Sequence, residues 1–183
     1  MENNAIYKIR PKRLFWLMLV LNVIYITWMK FQLAPLETNE ILAFEISRTP
    51  ERAIAWVNNW KAQPPKFERA LSSLSYDYVF IVLYCIGLIV AVLQFGIWSG
   101  QDLLARSSRF IGGLLVLAAI CDVLENLFLS RVLKDPTIEF TVRMAYNFAA
   151  AKFSILILTL LFLAVCTIFH FVRRFERKLV MGN

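Results

Sequence analysis

From Tyr78 to Gly100 no residue carries a formal charge, and three further stretches of similar length are nearly as apolar. These runs constrain the fold more than any motif in the chain. About 20 apolar residues at ~1.5 Å rise each cross a hydrocarbon core, and runs so long and continuous do not suit buried soluble strands. The predicted spans cover about 14–34, 78–98, 110–133 and 150–172. Composition agrees: 59% of the 183 residues are hydrophobic and the mean hydropathy is +0.60. Aromatic residues make up 14%, which fits rings placed at two lipid–water interfaces. The sequence therefore predicts an all-α membrane protein, a single membrane domain over 1–183 built as a four-transmembrane-helix bundle and embedded in a lipid bilayer.

Lys8, Arg10, Lys12 and Arg13 before the first run also suit the basic start of a secretory signal. The run is longer than such a signal needs, no small-x-small site follows, and Pro35 directly follows Ala34, so a retained helix is expected. With Arg106 and Arg109 between the second and third spans, and Arg173, Arg174, Arg177 and Lys178 in the tail at 173–183, these bases mark one side of the membrane. The bases of the opposite side are nearly balanced by acids. The positive-inside rule then places both termini in the cytoplasm, with the RRFERK tail and its Phe171, Phe175 and Leu179 as a basic anchor on the inner leaflet. The net charge of +7 does not point to nucleic acid, because the bases flank apolar runs instead of forming a basic face.

The connector at 35–75 is predicted to be exoplasmic and helical. In SRTPERAIAWVNNW, Thr49 suits an N-cap, Pro50 the first helical position and Glu51 the first turn. Ala53, Trp56, Val57 and Trp60 fall on one face, and Ile41, Leu42 and Phe44 lie upstream. Two short amphipathic helices are expected, lying on the outer leaflet or capping the bundle. QPP at 63–65 ends the second, and FERALSSLSYDY leads into the second span as a helix.

Five charges fall within the spans. Counted from the cytoplasmic ends at ~1.5 Å per residue, Asp122 lies ~18 Å deep, Glu125 ~22 Å, Lys30 ~25 Å, Lys152 ~31 Å and Asp77 ~34 Å, so all share the outer half. A charge at that depth is costly unless paired or hydrated, which predicts one shared polar pocket. Asp122, Glu125 and Asn126 stand at i, i+3 and i+4 and project from one helix face. Gly112, Ala118 and Ala119 lie below them and suit close helix packing. Tyr84, seven residues from Asp77, and Tyr146 and Asn147, above Lys152, are expected as further hydrogen-bonding groups, with Asn22 a weaker one. The five charges sum to −1, and Asp122, the deepest, is expected to be the carboxylate left without a lysine. Snorkelling toward the interface is the competing account of Lys30, Lys152 and Asp77, and a purely structural ion pair that of Asp122 and Glu125.

Other chemistries find little support. Cys85, Cys121 and Cys166 fall on three spans without a C-x-x-C, and His170 is the only histidine, so no metal site and no cofactor are expected. There is no nucleophile elbow, phosphate loop or H-E-x-x-H. The G-x-x-x-G of GIWSG at 96–100 sits at a span end and reads as incidental.

YDY opening the second span, D-x-x-E-N in the third, AAAKFS early in the fourth and TPERA in the connector resemble a group of small four-span bacterial membrane proteins of unknown function. The resemblance implies that Asp77, Asp122, Glu125, Asn126 and Lys152 form a shared feature. It implies no activity. For a bacterial source the location is the inner membrane, as a multi-pass protein.

The first functional expectation is binding of a small amphiphile, a lipid or a partner transmembrane helix in the outer-half pocket. The alternative is a membrane enzyme using Asp122 or Glu125 as general acid or base on a lipid-like substrate. Proton-coupled transport ranks third, because the inner halves of the second and fourth spans offer no charge.

Overall fold

The structure, a computed structural model, describes residues 11–181, and side chains from Lys12 to Phe175. Lys8 and Arg10 of the basic arm, and Arg177, Lys178 and Leu179 of the tail anchor, lie outside the described side chains. Six helices follow one another: α1 (Pro11–Leu33), α2 (Thr38–Glu45), α3 (Pro50–Lys61), α4 (Pro64–Ser99), α5 (Asp102–Lys134) and α6 (Glu139–Met181), with no strand among the described residues. Of these, α1, α4, α5 and α6 are long and apolar enough to cross a membrane.

The long helices exceed the apolar windows for local reasons. Pro64 sits in the first turn of α4, where its missing N–H costs nothing, so the segment FERALSSLSYDY is continuous with the span. At the other end Gly100 adopts the left-handed conformation, φ 68°, that stops a helix in a tight turn. Asp102 then opens α5 with an acid in its first turn, well ahead of the apolar run. Between α5 and α6, Asp135 Oδ1 accepts hydrogen bonds from the Thr137 backbone N–H at 3.0 Å and hydroxyl at 2.6 Å, closing a short polar turn.

GIWSG is not incidental. A Cβ on Gly96 would stand 2.8 Å from Ser108 Cβ, so Gly96 lets α4 and α5 approach across their turn. Gly100 is held beneath Arg173, whose Nη1 donates to the Gly100 carbonyl at 2.9 Å. These contacts, with Lys12 over the Trp98 ring and His170 Nδ1 donating to the Trp98 carbonyl at 3.0 Å, gather the start of α1, the α4–α5 turn and the end of α6 at one pole. The connector lies at the other.

Within the bundle α5 packs between α4 and α6, α4 also touches α6, and α1 packs chiefly on α4. Asn22 fixes α1 there by donating through Nδ2 to the carbonyls of Met18 at 2.8 Å and Leu83 at 3.1 Å. The Tyr25 hydroxyl adds a bond of 2.7 Å to the Tyr76 carbonyl. Most of the rest of α1 is exposed apolar surface, as suits a helix wetted by lipid.

Thr49 and Pro50 start α3 as the sequence predicts, and Ala53, Val57 and Trp60 are buried. They pack with Phe44 of α2 against Leu129, Val132 and Leu133 of α5 and Val142 of α6. Of the two placements open to the connector helices, the structure has the cap over the bundle.

Candidate functional site

Lys152 is the hub of the polar site. Its Nζ lies 2.9 Å from Asp122 Oδ1, 2.7 Å from Glu125 Oε2 and 3.8 Å from Glu45 Oε2. Its side chain is 7% exposed, and its ammonium stands inside the cluster, 4.8 Å from the Phe153 ring. The i, i+3, i+4 face of α5 delivers Asp122, Glu125 and Asn126 to one place, and all three are buried. Opposite, α4 supplies Asp77 and, two turns on, Tyr84.

Asp122 is fully engaged, with Oδ1 on Lys152 and Oδ2 accepting from the Tyr84 hydroxyl at 2.8 Å. The expectation that Asp122 is the carboxylate without a lysine is therefore corrected. Asp77 takes that place: Oδ2 accepts from Asn126 Nδ2 at 2.6 Å, and no cation pairs with it among the described residues. Lys30, a candidate partner from sequence, is exposed on α1 and makes no ion pair among the described residues. Tyr146 lies under the Arg48 guanidinium, 5.8 Å from ring centre, and Asn147 is exposed; neither reaches the cluster.

Glu125 is in an unusual state. It is 0% exposed, its Oε2 rests on the Lys152 ammonium at 2.7 Å, and its Oε1 has no hydrogen-bond partner among the described residues. Such a group is costly, and its persistence marks a site under constraint.

Glu45 is the participant that sequence reasoning missed, because it belongs to the connector and not to a span. A signal was present. Thr38, Ile41, Leu42 and Glu45 stand at i, i+3, i+4 and i+7 on α2, and all four line one cavity, while Phe44 turns to the core. Burial pushes the Glu45 carboxyl up; Lys152 pulls it down by less, Asp77 and Asp122 add to the rise, and it reaches about 7.

The cavity holds about 520 Å³. Its polar end is formed by Asp77, Asp122, Lys152 and Glu45, and its walls by apolar residues of α1, α4 and α6, from Ile26 and Phe80 to Phe15 and Leu160. Because α1 leans on α4, the cavity lies along the side of the bundle between α1 and α6. Ala91 lines its α4 wall, where a larger residue would fill it, whereas a Cβ on Gly87 would stand 2.8 Å from Asn22 Nδ2, so Gly87 lets α1 approach α4.

No family model, curated protein or solved structure matches the chain.

Proposed function

We propose that the protein is a four-span integral membrane protein, with both ends cytoplasmic, that binds a single-chain amphiphile in this cavity. The head lies at the polar end beneath α2 and the chain runs between α1 and α6. The observation that carries this reading is a volume of about 520 Å³ that is apolar along its length and ends on four ionisable side chains. Ligand cavities have this character, mostly apolar with a few convergent polar groups. Along α4 the lining extends from Asp77 to Ala91, ~21 Å of helix, so the polar end falls near one membrane surface and the apolar end reaches past the midplane. A chain can enter sideways from the lipid. Acid–base catalysis has weaker support, because Asp122 has both oxygens engaged and Glu125 lies outside the cavity lining.

The test is native mass spectrometry of protein released gently from its membrane. The wild type retains a co-purifying amphiphile, whereas Ala91→Phe, which fills the apolar end, loses it while keeping its helical content and melting temperature. Equal retention by both proteins rejects the cavity as the binding site. A cysteine placed at Asn58 in α3 should label from outside intact cells; labelling only after lysis reverses the orientation.

A further inference from the structure

We propose that the head recognised at this cavity is a protonated amine, held by Asp77 and Glu45, and not an anion. This rests on the amphiphile-binding reading and narrows it to one chemical class.

The charge arrangement decides the sign. An anionic head would need Lys152, whose ammonium is already surrounded by Asp122, Glu125 and Glu45. The other cations nearby are engaged elsewhere: Lys66 with Glu40 at 2.8 Å, Arg48 over Tyr146 and Arg131 over Phe128. Four carboxylates thus share one lysine, and of the three that line the cavity, Asp77 has only an amide donor and Glu45 only a long contact of 3.8 Å with Lys152. The buried Glu125, whose Oε1 has no hydrogen-bond partner among the described residues, is further evidence that the site has acceptors in excess of donors. What it lacks is a cationic donor.

The walls decide the kind of cation. Among the described residues no three carboxylate, thiol or imidazole groups are placed to hold a metal ion, the ammonium of Lys152 standing where Asp122, Glu125 and Glu45 meet, and an apolar cavity does not suit a hydrated ion. An ammonium on an alkyl chain satisfies both ends, donating to Asp77 and Glu45 while the chain lies against Leu88, Leu156 and Leu160. A phosphate beside the amine would bring an anion among four carboxylates, so the free amine is favoured over an aminophospholipid.

The experiment measures binding to the full chain in nanodiscs of zwitterionic lipid, with dodecylamine, dodecanol, dodecanoate and lysophosphatidylethanolamine as probes. Wild type should bind dodecylamine about tenfold or more tighter than dodecanol or dodecanoate, and Asp77→Asn should erase most of that preference. Glu45→Gln, outside the spans, is the second variant and should reduce it in part even if Asp77→Asn folds poorly. Lysophosphatidylethanolamine should bind more weakly than dodecylamine; tighter binding with the same dependence on Asp77 keeps the amine and assigns it to a phospholipid. A preference for dodecanoate, or an amine preference unchanged in both variants, overturns the proposal. If all four probes bind alike and Ala91→Phe abolishes every one, the cavity still binds amphiphiles and only the amine is lost. If none binds, both readings fall.

Discussion

The two short connector helices cover flanks of the bundle that are built in opposite ways. Beneath α3, Val57 and Trp60 close with Phe44 against Leu129, Val132 and Leu133, and each of these is 5% exposed or less. Beneath the other face of α2, Thr38, Ile41, Leu42 and Glu45 overhang about 520 Å³ of space. The backbone is equally regular on both sides, so the difference lies in side-chain volume and charge. Large rings fill one flank, while Ala91 and a cluster of carboxylates leave the other open. A filled flank contributes rigidity, and the open apolar flank is where the proposed chain would lie.

The largest effect should come from the hub of the open flank. Lys152→Met leaves Asp122 and Glu125 buried without a cation, and breaking such a pair costs ~3–5 kcal/mol. Unfolding followed by circular dichroism in mild detergent should show that loss. Adding Asp122→Asn and Glu125→Gln should recover much of it, since neutral partners need no ammonium. A loss under ~1 kcal/mol for Lys152→Met alone means that the carboxylates are already neutral and the ion-pair account is wrong.

The filled and open flanks can also be compared by one truncation made twice. Leu133, 1% exposed, sits in the close-packed cluster, and Leu133→Ala should cost ~2–5 kcal/mol through lost contacts and a new cavity. Leu156 borders the existing cavity, so one side of it already lacks packing partners, and Leu156→Ala should cost about 1 kcal/mol. Equal losses at the two positions remove the distinction between the flanks.

How much of this was legible in the sequence depends on which physical signal each feature left. The four long helices follow from apolar length alone. The α5 face follows from spacing, because i, i+3 and i+4 place Asp122, Glu125 and Asn126 together whatever surrounds them. Pairing was not legible: depth along a helix gives height but not azimuth, so Lys30 and Lys152 were equivalent until the packing of α1 on α4 turned Lys30 outward. For the same reason the unpaired carboxylate proved to be Asp77 and not Asp122. Glu45 carries no depth signal because it belongs to the connector, although its register with Thr38 and Ile41 is visible in the sequence. Gly96 and Gly100 stand at a helix end, where close approach to Ser108 and a left-handed turn impose requirements that a G-x-x-x-G pattern alone does not reveal.

The smallest effect is also the most diagnostic, because two glutamates on or beside the cavity flank titrate in opposite directions. Glu45 is raised from an ordinary 4.5 to about 7, so between those values the unfolded chain has released the proton that the folded chain still holds. Stability therefore falls as pH rises through that window and stays reduced above it. Glu45→Gln removes the penalty: the variant should match wild type below pH 4.5 and melt higher at pH 8, by on the order of 1 kcal/mol or ~2–4 °C. Glu40, on the same helix, behaves otherwise. Burial pushes it up, but Lys66 and the Glu37 backbone N–H outweigh that and hold its carboxyl below the usual range. Its contribution is present above pH 4.5 and is lost as pH falls through its lowered value, so Glu40→Gln should melt lower than wild type at pH 8 and converge with it in acid. Melting curves of the two variants from pH 4 to pH 8 should thus diverge from wild type in opposite directions as pH rises. If Glu45→Gln instead melts lower at pH 8, Glu45 is a stabilising partner of Lys152, and the cluster is a saturated ion pair with no room for an amine.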